Sequence, residues 1–114
     1  YCVDNGIQNG KISGIGAVEN IEMGAYDFSK KEYIKSSMNK IMELVSFQGN
    51  ISLKDGEPFI HAHATVGTHD LDIKGGHVFE CTVAVVGEFI LTEIDTHMVR
   101  KFDEAIGLAT LCPE

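Results

Sequence analysis

The chain is 114 residues long, 44% hydrophobic and 23% charged, the size and balance of one soluble globular domain. Its formal charge is −8, with 9 Lys plus Arg set against 17 Asp plus Glu, which opposes a general attraction to nucleic-acid phosphates. No apolar run approaches the roughly 18 residues that cross a bilayer, and the start, Tyr1-Cys2-Val3-Asp4-Asn5, has neither the basic nor the apolar part of a secretory leader, so no membrane partner and a cytoplasmic location are expected.

In chain order, residues 1–9 resemble the tail of an element, with Asn9-Gly10 as a helix C-cap or turn. Residues 11–18 form a strand whose Gly14 and Gly16 mark a close approach by backbone or ligand. Residues 21–28 and 31–37 suggest a hairpin around Ser29-Lys30. Residues 42–47 are a stronger strand, bent at Gln48-Gly49 before a partner at 50–53, and Lys54-Asp55-Gly56-Glu57-Pro58 has the composition of a turn. Residues 59–66 and 77–86 are expected to pair antiparallel, 88–94 to continue the β character, and 96–105 to hold a helical turn or two ended at Gly107. The expected fold is α+β, a single mainly antiparallel sheet with little helix, and one domain over residues 1–114. The basic cluster of Lys30, Lys31, Lys35 and Lys40 is interrupted by Asp27, Glu32 and Glu43 and describes a solvated edge.

Cys2, Cys81 and Cys112 are scattered and contain no C-x-x-C unit, so reduced thiols are expected. Cys81, inside the apolar stretch 78–86, is expected to be a small buried hydrophobe.

The chemistry concentrates in Pro58-Phe59-Ile60-His61-Ala62-His63-Ala64-Thr65-Val66 and Gly75-Gly76-His77. Side chains alternate along a strand, so His61 and His63 share one face and Ile60, Ala62, Ala64 and Val66 the other. Residues 68–74 are long enough to reverse the chain and bring His77 back as a third nitrogen, with Gly75-Gly76 permitting positive φ or a close approach. His-x-His with a third His is the ligand set of catalytic zinc sites, so a divalent metal, zinc expected, is assigned to His61, His63 and His77. A hydrogen-bonded polar pocket without metal, or unrelated histidines, are the alternatives. Nickel and copper would compete for the same nitrogens. Any chemistry at such a site needs a nearby acid or base, and the catalytic candidates are Glu43 and Glu88, each interrupting an apolar strand, with Arg100 as countercharge. Each of the three also has an ordinary reading, an exposed strand face or an ion pair across subunits.

The segments Glu43-Leu44-Val45-Ser46-Phe47-Gln48-Gly49-Asn50-Ile51-Ser52, Asp55-Gly56-Glu57-Pro58 with His61 and His63, and Gly75-Gly76-His77 resemble the plants-and-prokaryotes-conserved (PPC) domain family. Lys11-Ile12-Ser13-Gly14-Ile15-Gly16-Ala17-Val18 and residues 100–111 fit its remaining pattern. The resemblance implies an antiparallel α/β sheet with a flanking helix, a homotrimer, and kinship with the fold of acetolactate decarboxylase, a metalloenzyme. Against the family pattern the N-terminal strand and much of a helix are expected to be missing. The resemblance leaves three functions open: a metal site that binds or acts on a small carbonyl-bearing molecule, DNA binding as in plant members that carry an AT-hook, or a protein-interaction module. This chain has no Arg-Gly-Arg-Pro core.

Overall fold

The computed structural model describes residues 1–113. Seven strands follow one another: β1 (Gly10–Asp27), β2 (Glu32–Met38), β3 (Met42–Lys54), β4 (Glu57–Gly67), β5 (Ile73–Glu93), β6 (Met98–Asp103) and β7 (Leu108–Pro113). They form one mixed sheet in the order β2-β1-β5-β4-β3-β6-β7, and β1 also pairs with β3. The pairings are antiparallel except β3 with β6, which run parallel at Leu53 and Val99. Because β1 bonds to both β5 and β3, while β4 bridges those two, the four strands close a ring of pairings.

The core follows from strand alternation. On β1, β3 and β4 the residues Val18, Ile21, Met23, Met42, Leu44, Phe47, Ala62, Ala64 and Val66 form one buried cluster, with Val78 and Cys81 of β5 against it. Burying each larger aliphatic side chain contributes about 1.5–3 kcal/mol. Cys81 is thus a partly buried thiol beside the core, and burial raises its pKa. A register shift marks β1 at Gly16, whose φ is 151° and whose missing Cβ would lie 2.1 Å from the Val86 carbonyl oxygen. Only glycine permits β5 to approach β1 that closely.

Several sequence expectations change. The described residues contain no helix, so the α+β description gives way to a mostly β fold. Residues 96–105 carry β6 instead of helical turns, held by β7 on one side and by the Leu53–Val99 pairing on the other. Tertiary pairing decides this segment, whose own pattern is too short to choose. The bend expected at Gln48-Gly49 is absent: β3 runs straight through, with Gln48 opposite His63 and Gly49 opposite Ala62. The expected pairing of 77–86 with 59–66 holds only at His77, because residues beyond it pair with β1. The helix-end signal lies at Gly6, not at Asn9-Gly10. Gly6 has φ 68°, Ile7 donates its N–H to the Cys2 carbonyl at 2.9 Å, and Gly6 donates to Val3 at 3.3 Å, the bond pattern of a Schellman closure. Asn9 is buried, and its Oδ1 accepts the Met98 N–H at 2.9 Å. The hairpin expected around Ser29-Lys30 is β1–β2, with Tyr26 opposite Tyr33.

Candidate metal centre

Register builds the site. Gln48, Asn50 and Ser52 alternate on β3 opposite His63, His61 and Phe59 of β4, and His63 stands directly opposite His77 of β5. Directly paired residues share a sheet face, so these side chains all emerge on the same side. The three imidazole centroids are 5.0 Å (His61 to His77), 5.1 Å (His61 to His63) and 5.6 Å (His63 to His77) apart. One ring nitrogen from each lies within 4.8 Å of the others. In tetrahedral coordination at 2.0–2.1 Å, ligand nitrogens stand about 3.3 Å apart, a contraction that side-chain rotation can supply.

His77 is placed by backbone contact. On its other flank β5 meets Gly24 of β1, and a Cβ on Gly76 would lie 2.8 Å from the Gly24 carbonyl oxygen. The Gly75-Gly76 pair therefore serves close approach; neither residue has positive φ. The reversal from β4 is closed by Thr68, whose N–H donates to Asp72 and whose carbonyl accepts from Leu71, both at 2.9 Å.

An aromatic wall surrounds His77. Its ring lies 4.7 Å from Tyr33 and 4.6 Å from Phe79 between centroids, and the Tyr33 hydroxyl is 3.4 Å from its Nδ1. Burial, then His61, His63, Arg100 and Lys35, push the His77 pKa down from 6.5 to about 4. Burial first, then Arg100 and His63, also lowers His61. Both rings are neutral near pH 7, the form that ligates metal. Burial, with Tyr26 second, raises the Tyr33 hydroxyl, which stays protonated.

Arg100 reaches this face from β6. Its Nε donates to Ser52 Oγ at 2.9 Å, one terminal nitrogen to Asn50 Oδ1 at 2.7 Å and the other to the Ala109 carbonyl at 3.2 Å. Ser52 is fully buried. The guanidinium thus ties β6 and β7 to β3 and lines a cleft of about 360 Å³ shared with His61, His77 and Tyr33. On the other flank of the histidines, His61 and His63 line a shallower groove with Gln48 and Asn50.

Glu43 and Glu88 are not brought to the histidines. Both are exposed and line a separate apolar groove with Ile15, Val45 and Val86. The desolvation cost that singled them out does not arise, because the strand faces bearing them are open. Arg100 is half-buried beside the histidines, without either glutamate. Sequence reasoning missed Tyr33, which no local signal marks; Asn50 and Ser52 were detectable as polar residues on a strand that buries Ile51.

The family model of the Plants and Prokaryotes Conserved (PCC) domain matches residues 1–95. The chain belongs to that family. A plant- and prokaryote-conserved protein of Pyrococcus horikoshii is 40% identical, with a TM-score of 0.89 over 95% of this chain and 75% of that one. A metal-containing protein of Archaeoglobus fulgidus is 37% identical, with a TM-score of 0.88 over 97% of this chain and 79% of its own. A protein of Bacteroides thetaiotaomicron, named as a candidate for DNA binding, is 28% identical, with a TM-score of 0.93 over 97% and 78% of the two chains. No curated protein matches. On this PPC sheet no helix of the described residues is long and apolar enough to cross a membrane.

Proposed function

We propose that this PPC chain forms a homotrimer whose subunits each hold a divalent metal ion, zinc expected, on His61, His63 and His77, and present it to a small carbonyl-bearing ligand. The convergence of the three imidazoles carries the reading: nitrogens from two strands come within 4.8 Å of one another on one sheet face. The 37% identity to a metal-containing relative supports it. A bound ion with an open fourth position supplies Lewis acidity, for polarising a carbonyl or for acidifying water. The chain's own residues orient the site: Tyr33 holds its hydroxyl at His77 Nδ1, and Arg100 braces Asn50 and Ser52 beside His61. A contact such as that of Tyr33 with an imidazole nitrogen helps fix ring orientation and tautomer.

The DNA-binding reading draws on the name of the Bacteroides relative, but a charge of −8 opposes it. The trimer is supported by the apolar face around Ile15 and Val45, where Val85 is 72% and Ile90 71% exposed; a surface of this kind marks an association site. Elemental analysis of a chelator-free preparation tests the metal: about one divalent ion per chain is expected, and His63→Ala, an exposed ligand outside the core, should lower affinity by orders of magnitude with the fold intact. No metal in the purified protein and none taken up on titration would refute the assignment.

A further inference from the structure

The cleft beside the histidines is cationic in a chain whose net charge is −8. Arg100 and Lys54 both line it, and among the described residues no acidic side chain does. Both cations are directed at one ring: Lys54 Nζ lies 4.8 Å and the Arg100 guanidinium carbon 5.4 Å from the centroid of Phe59. The hydrogen bonds of Arg100 go to a hydroxyl, an amide oxygen and a backbone carbonyl, all neutral. A guanidinium has five N–H donors, so two remain beyond those three bonds. A half-buried cation with no carboxylate partner among the described residues is costly, and its charge is compensated when an anion enters.

Access and size agree with a small molecule. The cleft holds about 360 Å³, at the lower end of small-molecule sites. Its roof is pinned: Lys31 Nζ donates to the Glu104 carbonyl at 2.7 Å and the Tyr26 hydroxyl donates to Ile106. These bonds tie the β6–β7 turn to the β1–β2 hairpin and keep Ala109 of β7 at the cleft wall. The cavity wall therefore carries the two cations, Arg100 and Lys54, alongside His61 and His77.

We propose that the cleft binds a small organic carboxylate, held by the free donors of Arg100 with Lys54 beside it, and directs the ligand's second oxygen toward His61 and His77. The inference rests on the metal reading only for that second oxygen. Arg100 acts without the ion, and the carbonyl ligand proposed above becomes a 2-oxo acid.

Calorimetric titration of the full chain with pyruvate, and with its methyl ester as the uncharged control, tests this in chelator-stripped and in zinc-loaded protein. Pyruvate should bind at least about tenfold more tightly than the ester in both forms, the usual scale of a charge-assisted pair. Zinc should tighten both ligands. Lys54→Ala, at an exposed position, should weaken pyruvate several-fold, and more than it weakens the ester. Arg100→Lys keeps the charge but loses the paired donors, and should abolish most of the preference; a thermal melt confirms that the variant folds. Equal affinities for pyruvate and the ester, or no pyruvate binding at millimolar concentration, would overturn the proposal. A failed metal reading is distinguished by absent zinc uptake alongside a surviving pyruvate preference in the stripped protein.

Discussion

On β5, His77 sits half-buried between Tyr33 and Phe79, whereas further along the same strand Val85 is 72% and Ile90 71% exposed. The first region is polar and satisfied within the chain: Arg100 bonds to Ser52, Asn50 and Ala109, and Tyr33 meets His77. The second is apolar and unsatisfied, with Ile15, Val45 and Val86 open around a groove rimmed by Glu43 and Glu88. The difference matches the two proposals, a metal site in the first region and an association face in the second. Carboxylates in an exposed apolar groove are poorly placed for a metal centre, because nothing there desolvates them, and they fit the proposed association face.

Three experiments press on this contrast. The largest expected effect is on assembly. Light scattering should give a mass near three chains, and Val85→Asp combined with Val86→Asp should reduce it to one, because a buried unpaired charge opposes association. The metal content per chain should not change. A single-chain mass for the unmodified protein would show that the apolar face has another role.

The next effect is on acid stability and belongs to the histidine region. His77 is neutral in the fold down to a pKa of about 4 but titrates at 6.5 when exposed. Between those values the unfolded chain binds more protons, so stability should fall as pH drops from 6.5 toward 4 and level below it; His61, lowered in the same direction, adds to the slope. Urea melts of chelator-stripped protein read this directly. His77→Gln should flatten the slope in that window, and an unchanged slope would contradict the neutral assignment.

The smallest effect expected is on DNA. Nine basic residues against seventeen acidic ones should hold duplex affinity below the non-specific range of about 10⁻⁴–10⁻⁶ M at physiological salt. Neutralising Lys30, Lys31 and Lys35 together should change little. Fluorescence anisotropy checks this, and tight binding that weakens steeply with salt would transfer function from the histidines to the surface.

Much of the site was legible because strand periodicity is strict: His61 and His63 had to share a face, and only the register with His77 needed the fold. The family resemblance was equally legible, from segments spread along most of the chain. Less legible was whatever depends on knowing both faces of a strand. Glu43 and Glu88 stand on exposed strand faces, the ordinary reading that the sequence offered beside the catalytic one. Arg100 was noticed as a countercharge to those glutamates, while its partners Asn50 and Ser52 lie on a strand distant in sequence. The helical turns expected at 96–105 failed similarly, since the pairings with β3 and β7 are long-range.

The most direct measurement of the central claim is zinc-edge X-ray absorption on protein stripped with chelator and reloaded with one zinc per chain. Three imidazole nitrogens and one further light atom at about 2.0–2.1 Å are expected, with His63→Ala losing one imidazole contribution. Sulfur scattering from Cys81, or an ion bound by a single imidazole, would contradict a centre built on His61, His63 and His77.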